Sequence, residues 1–298
     1  MFSVLELLPP PPPQVRVVDV GAQRDPGSPD VYLPLLNAGC ASVIGFEPAQ
    51  AECEKLSAAS GPHRTYLPYV IGEGDRRTFC VCKDSRTSSL YEPNAPLLSY
   101  FQMLEEPCRV VERVEVRTVA LDDVAELGDV DYLKLDVQGA EADVLRGARR
   151  ALEQAVVVHS EVEFVPLYKG QPLFGDVDAL LRAHGFLFHT FPGFGMRAFR
   201  PIMLNHDPNL GLRQFLWSEA VHVKNFMRFN ELSPEKLLKL AVILHEIYSS
   251  YDLCALALRH YDARLGAAYI ERLSGAPAAE RAGCKNSQGR RVRADTPC

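Results

Sequence analysis

Apolar runs along this chain end repeatedly in an acidic residue. The first, VRVVDVGA at residues 15–22, carries valines into Asp19 and Gly21. The second, ASVIGFEP at 41–48, ends in Glu47 and Pro48. The third lies within DYLKLDVQGAEADVLRGA at 131–148, where Val130, Tyr132, Leu133 and Leu135 precede Asp136. Short apolar runs bounded by turn residues predict strands buried on both faces of a sheet. Between them the apolar spacing lengthens to that of helices. One covers 30–38, with Gly39 as its stop, and another covers 50–59. Gly139 permits a tight turn after the third run, and Glu141 opens a further helix. Lys134, inside that run, is either a snorkelling stem or the partner of an acid.

The remaining pattern continues the alternation. Residues 64–71 and 77–82 read as strands joined by a hairpin turn at Gly72-Glu73-Gly74-Asp75. RVEVRTV at 113–119 alternates charged and apolar residues, as a strand with one exposed face does. A short helix follows at 121–127, capped near Asp122. AVVVHSE at 155–161 is the next strand, and 174–184 is an amphipathic helix stopped by Gly185. Strands at 186–191 and 196–203 flank Pro192-Gly193. Residues 83–98 lack periodicity and read as a loop, either a lid over a substrate or a plain surface connector.

The composition shifts near residue 205. Trp217, Ala220, Val221 and Val223 predict the start of a short helix. Ser233-Pro234 predicts another, with a serine cap and proline at the first position. Leu237, Leu240, Ala241, Leu244 and Tyr248 share its apolar face. A further helix spans 251–261. These segments predict an antiparallel helical appendage at 205–274, packed on the sheet or on a second copy of the chain. Residues 275–298 read as a disordered tail whose Arg290, Arg291 and Arg293 are solvated charge. Residues 1–14 read as a helical turn and a stiff polyproline spacer.

Composition narrows the function. The 298 residues suffice for one large domain with an appendage, and 47% are hydrophobic, as in an ordinary globular chain. A net charge of −6 supplies no global basic field for nucleic acid. No apolar run is long enough to span a membrane, and the first residues lack the pattern of a secretion signal, so a cytoplasmic location is expected. Eight cysteines form no CxxC pair. They read as reduced structural thiols, with Cys80 and Cys82 on one strand face and no metal site. His159-Ser160-Glu161 lacks the PCxxC of zinc deaminases.

Acids at the ends of three strands, separated by helices, match a nucleotide-type site with a carboxylate on the second strand for ribose hydroxyls. Each acid taken alone also suits a helix cap or a solvated turn. Along the strand at 155–161 and just beyond, His159, Glu161 and Glu163 alternate onto one face.

VVDVGA, GFEP, LKLDVQGAEADVLRGA and HSEVEF, in this order and spacing, resemble the FkbM-type methyltransferases. The resemblance covers about residues 15–204, and the third motif is its most specific part. Ser88-Ser89-Leu90 adds to it. The chain departs after the first strand, where the family's GA-N-x-G is replaced by Gly21-Ala22-Gln23-Arg24-Asp25-Pro26-Gly27.

The resemblance implies a methyltransferase domain at 15–204 with an α/β, class I Rossmann-like sheet, mostly parallel with an antiparallel last strand. It implies S-adenosylmethionine as cofactor and a hydroxyl of a sugar, glycan or other small metabolite as acceptor. Asp19, Gly21 and Gln23 would then hold the cofactor's amino-acid portion. Glu47 and Pro48 would sit at the ribose, and Val70 and Ile71 would wall the adenine. Asp136 would face the methionine end and the acceptor. Glu161 or His159 would be the base, and Glu141 would serve the helix dipole or the site. Two alternatives stay open: a nicotinamide-dependent dehydrogenase, disfavoured because no GxGxxG follows the first strand, and a non-catalytic binding protein. Self-association through the appendage is a further expectation.

Overall fold

The three acid-ending runs form neighbouring parallel strands. In chain order the strands are β1 (Val15–Val20), β2 (Ala41–Phe46), β3 (Arg64–Leu67), β4 (Ile71–Gly72), β5 (Arg76–Cys82), β6 (Val110–Arg117), β7 (Val119–Ala120), β8 (Tyr132–Leu135), β9 (Val157–Glu163), β10 (Phe186–Thr190), β11 (Phe194–Met196) and β12 (Phe215–Lys224). The helices are α1 (Leu33–Asn37), α2 (Gln50–Ala58), α3 (Ala95–Leu98), α4 (Glu141–Arg146), α5 (Arg149–Gln154), α6 (Phe174–Ala183), α7 (Pro234–Glu246), α8 (Tyr251–Tyr261) and α9 (Ala263–Ser274). The computed structural model describes residues 2–23, 27 and 29–275. Arg24, Asp25 and Pro26 of the divergent loop lie outside the described residues, as does the tail with Arg290, Arg291 and Arg293.

The main sheet runs β10–β12–β9–β8–β1–β2–β3, with β11 beside β12. Strands β3, β2, β1, β8 and β9 are parallel, while β12 is antiparallel to β9 and β10. This is the expected mostly parallel sheet with an antiparallel last strand. From β1 the chain moves outward through β2 and β3, then returns to β8 on the other side. A reversal of strand order at that point opens a crevice beyond the carboxyl ends of β1 and β8.

Helices cover both faces. On one, α4, α5 and α6 pack against Val18, Val20, Ile44, Leu133 and Val158. On the other, α7, α8 and α9 pack against Val15, Val17, Val43, Tyr132, Val157, Val221 and Val223. The appendage therefore lies on the sheet as one of its layers. The apolar faces that suggested self-association are covered within the chain. Ser233 caps α7, accepting the Lys236 N–H at 3.2 Å as its sequence predicts. No helix of the described residues is long and apolar enough to cross a membrane. Cys40, Cys53, Cys80, Cys82, Cys108 and Cys254 are buried free thiols.

Several expectations need correction. Trp217 to Val223 belong to β12, a strand, and not to a helix. The sheet is thus completed beyond the boundary drawn at 204/205. Past its first residue, β12 is buried or half-buried on both faces, which removes the alternation that marks a half-buried strand. The hairpin through Gly72 and Asp75 does not form. Instead β3 stays in the main sheet, β4 pairs with β7, and β5 pairs with β6. Of the strand expected at 196–203 only the start exists, as the end of β11. Asp122 caps α5, accepting the N–H groups of Arg150 at 2.8 Å and Ala151 at 3.0 Å.

The expected helical turn forms at Val4–Glu6 and is docked on the fold, while the prolines at 9–12 are exposed. Val4 is fully buried. Ser3 Oγ and the Val4 N–H both donate to Glu246 Oε1, at 2.6 and 2.8 Å.

Candidate active site

At the end of β1, Asp19 is almost fully buried. Its Oδ2 accepts the Tyr32 hydroxyl at 2.7 Å. Its Oδ1 has no hydrogen bond and lies 3.2 Å from Lys134 Nζ. Lys134 also reaches to 3.6 Å from Asp136 Oδ2, so it is the partner of two acids. Burial opposes its charge, but Asp19, Asp136 and Glu219 outweigh that and hold its pKa above the ordinary lysine range. Gly21 has φ +83°, and a Cβ there would lie 1.9 Å from the Asp136 carbonyl oxygen. Only glycine lets the loops after β1 and β8 touch in this way. Gln23 Nε2 donates to Ser85 Oγ at 2.8 Å, linking this loop to the 83–98 segment.

At the end of β2, Glu47 Oε1 accepts the Ala49 N–H at 2.9 Å. Burial pushes the Glu47 carboxyl up, against that amide bond. Pro48, Tyr69, Val70 and Ile71 form the wall beside it.

Beyond β8 the backbone turns through left-handed conformations, Gln138 at φ +57° and Gly139 at φ +94°. Gln138 Nε2 donates to Asp136 Oδ1 at 3.0 Å and to Glu161 Oε2 at 2.5 Å. Its Oε1 accepts the Tyr168 hydroxyl at 2.9 Å, and its carbonyl accepts Ser89 Oγ at 2.6 Å. One amide therefore fixes carboxylates from two strands. Glu141 Oε1 accepts the Val137 N–H at 2.8 Å and closes the turn from behind. Burial raises its pKa to about 8. Its role here is local, since it does not line the cavity.

The opposite wall comes from β9 and β12. His159 Nε2 pairs with Glu219 Oε2 at 2.8 Å, and Nδ1 with the Tyr248 hydroxyl at 2.8 Å. Tyr248 in turn meets the Tyr132 hydroxyl at 2.7 Å. Burial, reinforced by nearby carboxylates, pushes the Glu161 carboxyl well up. Burial acts against the Glu219 charge too, but the His159 bond and Lys134 hold its pKa below the usual range. Glu163 is buried and does not line the cavity, so only two members of the His159, Glu161, Glu163 face reach it.

These walls enclose one cavity of about 710 Å³, within the usual size of small-molecule sites. Every site residue nominated from the sequence lines it: Asp19, Gly21, Gln23, Glu47, Pro48, Val70, Ile71, Asp136, His159 and Glu161. Ser85, Arg86, Ser88 and Leu90 bring the 83–98 loop to its edge. Two residues at this wall are new. Glu219 lies in the segment read as a helix. Read as a strand, that segment would have placed Trp217 and Glu219 on one face. Tyr248 was assigned to the apolar face of α7, but it lies just past that helix and carries no motif.

The model of the methyltransferase FkbM domain matches residues 19–188. Over 113 residues the chain is 38% identical to the 2-O-methyltransferase NoeI of Sinorhizobium fredii (strain NBRC 101917 / NGR234), covering 37% of this chain and 42% of that protein. The chain thus spans less than half the length of this curated relative. Among solved structures, the N-terminal domain of EvdMO1 with SAH bound gives a TM-score of 0.34 at 8% identity, covering 71% of this chain and 74% of that one. The 23S rRNA methyltransferase ErmE gives 0.33 at 10% identity, covering 88% and 92%. The family match runs from the acid of β1 into β10 and takes in every nominated site residue, and the chain belongs to the FkbM family of S-adenosylmethionine-dependent methyltransferases.

Proposed function

We propose that the protein methylates a hydroxyl group of a sugar or another small molecule. The observation that carries this reading is the wall formed by His159, Glu161 and Glu219, which faces the same cavity as Asp19 and Glu47. A hydroxyl must lose its proton as the new bond forms, and a carboxylate–histidine group supplies the acceptor for it. The match to a 2-O-methyltransferase supports the same choice. Family membership sets aside the dehydrogenase alternative.

The residues present fit S-adenosylmethionine. Asp19 brings a buried carboxylate, its Oδ1 3.2 Å from Lys134 Nζ, to the wall where the amino end of the cofactor would lie. Gly21 lets backbone approach closely, with Gln23 beside it. Glu47 has two oxygens for two adjacent ribose hydroxyls. Pro48, Val70 and Ile71 offer an apolar wall for adenine. When bound, the cofactor supplies a methyl group on a sulfonium, already activated for displacement. The protein's part is to hold the hydroxyl in line, exclude water and accept the proton. Asp136, fixed by Gln138 and Lys134, lies between the two walls. It is placed to orient the acceptor or to balance positive charge.

Calorimetry and product analysis test this. Glu47→Ala is expected to weaken S-adenosylmethionine binding by about 1.5–3 kcal/mol, the worth of hydrogen bonds to a charged group. Methyl-labelled cofactor incubated with methyl glycosides and simple phenols is expected to give O-methyl products. Label found only on nitrogen or carbon in a wider acceptor screen would overturn the hydroxyl assignment.

A further inference from the structure

The acceptor wall has more structure than one base requires. Glu161 on β9 and Glu219 on β12 are direct cross-strand partners. Directly opposed residues on one face bring their Cβ atoms to about 4.5–5.5 Å. Both line the cavity. His159, also at this wall, has both ring nitrogens engaged within the protein, one by Glu219 and one by Tyr248. No ring nitrogen is left to meet an acceptor. Its neighbour Glu219 is different. Oε2 is held by His159, while Oε1 makes no hydrogen bond among the described residues. Glu161 shows the same asymmetry, with Oε2 held by the Gln138 amide.

We propose that Glu219 is the catalytic base and that Glu161 binds a second hydroxyl beside the reacting one, so that the preferred acceptor is a vicinal diol. The proposal rests on the reading that the acceptor is a hydroxyl. The proton leaves that hydroxyl for Glu219 Oε1 as an oxygen lone pair forms the new carbon–oxygen bond. Sulfur keeps the electron pair of the carbon–sulfur bond that breaks. His159 and Tyr248 act as positioning residues, holding Oε2 so that Oε1 faces the acceptor.

Their surroundings push the two carboxyls in opposite directions, as these roles require. His159 from β9, Lys134 from β8 and Tyr248 beyond α7 surround Glu219, together with the acids Asp19 and Glu161. The His159 bond and the lysine hold its carboxyl below the ordinary range against burial. Glu161 faces Asp136, Glu163, Glu219 and Glu141, and burial with these carboxylates pushes its carboxyl well above the ordinary range. A neutral carboxyl both donates and accepts, which suits a hydroxyl that is held but not deprotonated. Environments that push two neighbouring carboxyls apart separate acid from base. A lone hydroxyl would leave the Glu161 carboxyl without its partner, a cost that discriminates against monohydroxy acceptors.

The test uses the full chain with S-adenosylmethionine, methyl glycosides bearing adjacent hydroxyls, and their monodeoxy counterparts. Glu219→Gln is expected to lower kcat by about 100-fold or more, with cofactor affinity unchanged by calorimetry and partial recovery in Glu219→Asp. Glu161→Gln is expected to raise KM for the diols and to abolish their advantage over the monodeoxy probes. Ionised Glu219 must be present for turnover, so the acid limb of kcat/KM should lie below the ordinary carboxylate range. Tyr248→Phe should shift that limb without abolishing activity.

An acid limb near neutrality that disappears in Glu161→Gln would make Glu161 the base and overturn the proposal. Monodeoxy probes methylated as well as the diols would overturn the diol inference and leave the hydroxyl reading intact. No methylation of any hydroxyl probe, with cofactor bound, would overturn both.

Discussion

Gln138 sits at a left-handed φ and holds Asp136 and Glu161 through one amide group. A non-glycine residue in that conformation costs about 1–3 kcal/mol, tolerated where the surroundings fix it. Here the Tyr168 and Ser89 hydroxyls do so. The acid it orients can be tested without disturbing the turn. Asp136→Asn keeps an oxygen to accept from Gln138, and Lys134 keeps Asp19. Turnover in single-turnover methyl transfer should fall by about 100-fold, with a near-normal melting temperature. Lost stability with normal turnover of the folded fraction would make Asp136 a structural cap. Asp19, Glu47 and Asp136 were legible in the sequence because each ends a short apolar run, and strand ends define the crevice. Glu219 and Tyr248 were not. They stand 60 and 89 positions from His159, and only tertiary docking brings them together.

Elements show the same division. Helices with stop signals, such as α1 before Gly39 and α6 before Gly185, fall where capping residues place them. Strand β12 does not. Ala220, Val221, His222 and Val223 are all buried, so both faces of the strand are covered and burial has no period of two to mark it. Helix α9, with its N-cap at Asp262, adds a third member to the appendage.

One contact locks α7 to the sheet. Asp131, fully buried, meets Lys236 Nζ at 2.5 Å and Lys239 Nζ at 3.0 Å, and accepts the Arg16 N–H at 2.8 Å. Removing it leaves Lys239 with Glu235 and Lys236 with the Val130 carbonyl, and takes the acceptor from the Arg16 N–H. Asp131→Ala is expected to destabilise the fold by about 1–3 kcal/mol, read from the urea midpoint. A shift under 1 kcal/mol would show that the lysines reach water instead.

At the scale of the molecule, the sheet order and its crevice follow from the central motifs, while the second helical layer depends on residues far along the chain. Ending the protein after Asn209 would take β12 from between β9 and β10 and uncover the face now under α7, α8 and α9. Exposed apolar surface on that scale drives association. The shortened protein should aggregate in light scattering and lose S-adenosylmethionine binding. A monodisperse, active fragment would make the helices an independent module.

The two walls of the cavity also belong to different times in the life of the chain. Asp19, Glu47 and Asp136 are synthesised first, Glu219 and Tyr248 some eighty or more residues later. A ribosome-bound chain would therefore carry the ends of β1, β2 and β8 well before the strand β12 that completes the cavity. Chemistry would begin only once the last strand had been threaded into the sheet.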